Sequence, residues 1–144
     1  MELSHEFKND ILTVINKIPI VDTLEMQIAS LTDGHCEVKV QRKSSYDGVA
    51  KSFHGGLLMT IADSAACFAI FTKTGPFINL TTTDMNIRFL APCLTDVTVK
   101  AKVIKLGRTL CPVSVDLYDA VGMHVAVAQV NYFLIDSSPI KDIK

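Results

Sequence analysis

Hydrophobic residues recur along this chain at two spacings, and the switches between them outline the fold. Phe7, Ile11, Leu12 and Ile15 fall at helical intervals, which predicts an amphipathic helix over residues 4–17. Pro19 ends it. Leu24 to Leu31 then reads as a strand and Thr32-Asp33-Gly34 as a turn. Cys36, Val38 and Val40 alternate with polar residues in a second strand, so the pair should form a hairpin. Residues 42–53 (RKSSYDGVAKSF) are polar and contain Gly, the composition of a loop. From about Gly55 to Lys73 apolar residues cover nearly every face of a helix, which predicts a helix enclosed by the chain rather than lying on it. Gly75-Pro76 stops it.

Strand-like spacing returns in four segments: Phe77 to Leu90, Asp96 to Leu106, Thr109 to Tyr118 and Met123 to Ile135. Pro92, Gly107 and Asp119-Ala120-Val121-Gly122 mark the breaks. Val97, Val99, Ala101 and Val103 alternate with polar residues, as do Val113, Val115 and Leu117, so each strand turns one face to a core. The polar tail, Asp136 to Lys144, is expected to fray. No linker or repeat divides the 144 residues, which fit one domain over 1–144. A single six-stranded antiparallel sheet must cover the enclosed helix, since nothing else in the chain can. This α+β arrangement, a sheet wrapped around one long central helix, is the hotdog fold.

Composition narrows the classes of partner. Almost half the residues are hydrophobic and a fifth are charged. That is more apolar than a lone soluble domain needs and hints at oligomerisation, because obligate interfaces resemble a divided core. A net charge of −1 gives no support for a nucleic-acid or anionic-membrane partner. Met1 to Glu6 lacks the basic start and apolar run of a signal peptide. The longest uninterrupted apolar run, Ala65 to Phe71, is far short of a membrane span. A cytoplasmic location is the expectation. Cys36, Cys67, Cys93 and Cys111 are scattered without a C-x-x-C pair, and with the four histidines they show no metal-ligand spacing. Reduced thiols and no metal are expected.

Candidate chemistry concentrates in the central helix. Asp63 sits amid its apolar residues, and a carboxylate is rarely buried unless paired or used. The helix opens with His54-Gly55-Gly56, and a helix start offers unpartnered N–H groups to an anion. Together they supply a base or nucleophile and an oxyanion donor. Plainer readings stand beside these. Asp63 could be a structural carboxylate, His54 a helix cap, and Gly55 and Gly56 sites of close packing. Thr82 could be an ordinary strand residue.

The segment HGGLLMTIADSAACFA closely resembles the central-helix motif of the hotdog-fold thioesterases, in the branch of the phenylacetate-pathway and thioesterase-superfamily proteins. TTTDMNIRFLAP is similar to the strand after that helix, and AKVIKLGRTLCPVSVDLYDAVGMHVAVAQVNYFL to the closing three strands. The resemblance covers roughly residues 24–135. It implies hydrolysis of acyl-CoA or aryl-CoA thioesters in a homodimer or homotetramer. It places Asp63, nine residues after His54, on the family's catalytic carboxylate, and Gly55 on the glycine whose N–H polarises the thioester carbonyl. It places Thr82 where relatives carry a Ser that positions the attacking water. One departure stands out: the position of the family's Asn, six before His54, is Gly48, and Asp47 is the nearest polar residue.

Hydrolysis needs no metal or bound cofactor, since CoA belongs to the substrate. Gly55 and Asp63 are eight residues apart, or about 12 Å along a helix, too far to serve one carbonyl. The expectation is therefore a shared site, with Gly55 and His54 from one subunit facing Asp63 and Thr82 of another. Gly56, Asp47 and Gly48, together with Gly107 and Arg108, are the expected substrate-binding residues. Lys102, Lys105 and Arg108 near the Gly107 bend could hold CoA phosphates, or form a solvated edge that deters strand pairing. Phe68, Phe71, Phe77 and Phe89 could shape an acyl tunnel or simply pack the core. Among rival functions, a hotdog dehydratase lacks its His–carboxylate motif here. The alternative of another class is a non-catalytic acyl-CoA binding or sensing protein.

Overall fold

The computed structural model describes residues 2–136. Helix α1 spans His5–Ile15, its first turn capped by the Ser4 side chain. Pro19 does more than end it. It opens a second short helix, α2, Pro19–Thr23, because a first-turn residue needs no N–H and its fixed φ suits a helix start. The first strand consequently begins later than the sequence predicts. Glu25 has φ 52°, so the chain becomes extended only at β1, Gln27–Thr32. Strand β2, His35–Val40, returns antiparallel through Gly34. The loop that follows contains one turn of 3-10 helix, Ser44–Tyr46.

Helix α3 runs Gly55–Thr74, then come β3 (Asn79–Phe89), β4 (Val97–Val103), β5 (Leu110–Asp119) and β6 (His124–Asp136). All six strands form one antiparallel sheet in the order β1-β2-β4-β5-β6-β3. The tail expected to fray lies outside the described residues beyond Asp136.

Helix and sheet make one core. Val38, Val99, Val113, Val115, Leu117 and Val130 point inward from the strands and are completely buried. They meet Ile61, Ala62, Ala65, Ala66 and Ala69 of α3, also completely buried. The small alanines let the helix backbone lie close to the sheet. Thr72 ties the far end of α3 to the β1–β2 turn, accepting from the Gly34 N–H at 2.8 Å and donating to the Ala69 carbonyl at 2.6 Å. Twenty mostly apolar residues are long enough to cross a bilayer, yet over half of α3 is buried inside the protein.

Enclosure of the helix is incomplete, contrary to the expectation that every face is covered. Met59, Thr60, Asp63, Ser64 and Cys67 form a half-buried stripe. They lie at helical spacing on the side where β3, an edge strand, ends the sheet. The stripe carries the candidate carboxylate.

Candidate active site at the start and middle of the central helix

Three of the first four N–H groups of α3 have acceptors. His54 Nδ1 accepts from Gly56 at 2.9 Å, and the His54 carbonyl accepts from Leu57 and Leu58, both at 3.0 Å. The N–H of Gly55 has no hydrogen-bond acceptor among the described residues. His54 therefore acts as a cap, and its capping leaves one donor spare at the positive end of the helix. Gly56 must be small for this cap, because a Cβ there would stand 2.9 Å from the His54 ring.

The loop before the helix is held by Arg42. Its Nε and Nη2 donate to the two oxygens of Asp47 at 2.9 and 2.6 Å, and Nη1 and Nη2 reach the carbonyls of Leu94 and Lys51 at 2.8 Å. The His54 N–H bonds the Tyr46 carbonyl and the Phe53 N–H the Cys93 carbonyl, each at 2.8 Å. Both Asp47 oxygens are thus engaged by Arg42. Gly48 lies in ordinary contact with the His54 ring.

Asp63 is half-buried and its hydrogen bonds converge on one oxygen. Thr82 Oγ1 donates to Oδ1 at 2.7 Å. The Tyr132 hydroxyl lies 2.8 Å from the same Oδ1 and 2.8 Å from the main-chain carbonyl of Asp63. No hydrogen bond among the described residues reaches Oδ2. Burial pushes the Tyr132 phenol well above the usual range, with the Cys67 thiol and Asp63 adding to it. Burial also pushes the Cys67 thiol up to about 12, with Asp63 contributing. Both groups stay protonated, so Tyr132 is a donor and Cys67 a poor nucleophile.

Alternation does not carry along β3 as the sequence suggests. A bulge between Thr82 and Asp84 sets Thr82 opposite Tyr132 and Asp84 opposite Asn131. Thr82 consequently faces the helix, while Asp84 turns to the opposite face and bonds the Asn131 amide at 3.1 Å. Strict alternation would put Asp84 and Asn86 on the face of Thr82, but the inserted residue reverses every later side chain.

A groove of about 370 Å³ opens beside Gly55, lined by Phe53, Leu58, Phe89, Leu90 and Pro92 among others, with no charged side chain. The Phe89 ring lies against Gly55, where a Cβ would come within 3.0 Å of it. Phe68 and Phe71 are instead core residues packed on one another, and Phe77 is exposed outside this groove. Lys102, Lys105 and Arg108 are exposed. Gly107 closes the β4–β5 connection with an N–H bond to the Leu110 carbonyl at 2.9 Å. Among the described residues, no cluster of three potential metal ligands occurs.

Within one chain the two halves stay apart. Gly55 lies beside Phe89 and Asp63 beside Thr82, at opposite ends of β3. Residues 50–126 match the thioesterase superfamily. The chain belongs to that family. With membership comes the reaction class, thioester hydrolysis. The chain is 32% identical to acyl-coenzyme A thioesterase 13 of Homo sapiens over 108 residues, 72% of this chain and 69% of the relative. The mouse protein of the same name is 28% identical over 116 residues, 75% of this chain and 79% of that one. In structure the chain superposes on the Escherichia coli PaaI protein from the phenylacetic acid degradation operon with a TM-score of 0.86. That match covers 97% of this chain and all of that one at 20% identity. A thioesterase of Haemophilus influenzae superposes with a TM-score of 0.82 over 99% of this chain and 98% of its own, at 17% identity. These likenesses establish the hotdog fold.

Tyr132, which bonds the candidate carboxylate, is the residue of this cluster that sequence reasoning misses. Its only signal is a phenol at an inward position of β6, in line with Ala126, Ala128 and Val130. A buried tyrosine hydroxyl usually has a partner.

Proposed function

We propose that the protein is an acyl-CoA thioesterase. Its catalytic carboxylate is Asp63 and its oxyanion donor the Gly55 N–H. The observation that carries this reading is the state of these two groups: a carboxylate with one oxygen anchored and the other free, and a single spare donor at a helix start. A water attacks the thioester carbon and gives its proton to Oδ2, and the carbonyl oxygen gains charge beside Gly55. The C–S bond then breaks, and the thiolate takes a proton from Asp63 or solvent to leave as CoA. Direct attack by Oδ2, forming an anhydride that water then cleaves, uses the same two groups. The likeness to acyl-coenzyme A thioesterase 13 supports the acyl-CoA substrate. The apolar groove at Gly55 suits the uncharged part of the substrate next to the thioester, and the exposed bend of Gly107 and Arg108 suits the CoA phosphates.

The active site is shared between two copies. Edge strand β3 pairs antiparallel with that of a second copy, centred on Asn86, with the bulged residue Thr83 passed over. Thr82 of one copy then lies opposite Phe89 of the other. Since Asp63 bonds Thr82 and Gly55 touches Phe89, this register brings Asp63 of one copy to Gly55 of the other.

Thiol release from a panel of acyl- and aryl-CoAs tests the function. Wild type releases CoA, and Asp63→Asn lowers kcat at least ~100-fold. Equal turnover by Asp63→Asn defeats the proposal, and tight binding without release identifies a binding protein instead.

A further inference from the structure

We propose that Tyr132 is a positioning residue for this reaction: with Thr82 it clamps Oδ1 of Asp63 and so presents Oδ2 to the reacting water. The inference rests on Asp63 being the catalytic carboxylate. A carboxylate on a single Cβ rotates broadly about its last torsion. One hydroxyl on Oδ1 leaves that rotation partly free. Two hydroxyls from different strands, Thr82 of β3 at 2.7 Å and Tyr132 of β6 at 2.8 Å, fix it. Tyr132 is itself held firmly, being 5% exposed in the core.

The phenol has one hydrogen and two acceptors at the same distance, Oδ1 and the main-chain carbonyl of Asp63. While Asp63 is ionised the charged oxygen is the stronger acceptor. As Oδ2 takes the proton from water, the charge on Oδ1 falls and the carbonyl becomes the competing acceptor. The hydrogen can swing between them without ever losing a partner, so neither state strands a buried polar group. Because the phenol stays protonated, it donates to Asp63 and does not compete with it for the proton.

Steady-state kinetics of Tyr132→Phe, Thr82→Val, the double variant and Asp63→Asn test this, with thermal melts alongside. Tyr132→Phe keeps the ring and removes only the hydroxyl. The expected result is a fall in kcat of roughly 10-fold or more, with KM within about 2-fold, since misplacing a catalytic group slows chemistry without weakening binding. Thr82→Val gives a similar split. The double variant falls little further than the worse single, because losing either anchor already frees the torsion. Restoring the hydroxyl with 3-fluorotyrosine at position 132 restores kcat. Wild-type kcat in Tyr132→Phe, with Asp63→Asn inactive, overturns the positioning role and leaves the base assignment standing. A raised KM at unchanged kcat also overturns it, as the mark of a substrate contact. Wild-type turnover in Asp63→Asn removes the base assignment itself.

Discussion

His54 turns its imidazole back onto the helix it precedes, and in the proposed site that choice matters as much as Asp63. By accepting from Gly56 it removes one spare donor and leaves Gly55 as the one available to a substrate oxygen. The variant His54→Ala loses the cap, at a cost of about 1 kcal/mol in stability by analogy with other cap removals. It keeps the Gly55 N–H. We expect a lower melting temperature and a fall in kcat no larger than ~10-fold, well short of Asp63→Asn. A loss equal to that of Asp63→Asn in thiol release points instead to direct contact between His54 and the substrate. At this scale the sequence is readable where a residue breaks its surroundings. A carboxylate among apolar residues and glycines at a helix start are conspicuous, and Asp63 and Gly55 stand out for that reason. Tyr132 and Arg42 do not stand out, because a tyrosine in a strand and an arginine in a polar loop are ordinary. Their roles come from residues far away in sequence, Asp63 and Leu94.

Three thiols on the helix and the sheet are buried or half-buried. Cys36 on β2 and Cys67 on α3 are pushed up to about 12 and Cys111 on β5 to about 11, in each case chiefly by burial. The ordinary value is 9.0, so between about pH 9 and 11 the unfolded chain sheds protons that the folded chain keeps. The unfolded state then binds fewer protons, and stability falls as pH rises, by up to about 1.4 kcal/mol per pH unit for each thiol. The stabilisation is whole below pH 9 and is lost on approach to pH 12. Denaturant midpoints should drop steeply above pH 9, and Cys111→Ala should flatten the slope whatever it does to the midpoint at pH 7. A slope unchanged in Cys111→Ala excludes that thiol from the effect. Elements themselves were legible from periodicity, and the misreadings have local causes. Pro19 starts α2 because a helix's first turn tolerates it. The side chains of Asp84 and Asn86 are reversed by a bulge, and a single inserted residue leaves no mark on composition.

At the scale of the whole molecule, the proposed shared site calls for a second copy, and the open sheet edge is where we place it. Strand order puts β3 outermost, with eleven residues whose side chains are nowhere fully buried. A long open edge of this kind invites pairing with another strand. The half-buried stripe of α3 lies along the same side, so a second copy placed there covers Met59, Thr60, Asp63 and Cys67 as well. Sequence spacing already motivates the proposal of two copies, because the distance from Gly55 to Asp63 follows from helix rise alone. It cannot supply the register, which depends on which end of β3 each residue touches. Asn86→Lys tests the assembly. Asn86 lies beside the proposed two-fold axis, so the substitution sets two cations against each other there, while its exposed face spares the core. The expected product is a folded monomer, seen by light scattering and an unchanged far-ultraviolet spectrum, with kcat/KM reduced at least ~100-fold because oxyanion donor and base no longer meet. Mixing two inactive variants sharpens the result. Gly55→Val and Asp63→Asn copies, co-folded, form some heterodimers with one intact site, and partial activity should return. Full turnover by the proven Asn86→Lys monomer, or no recovery on mixing, rules out a site divided between subunits.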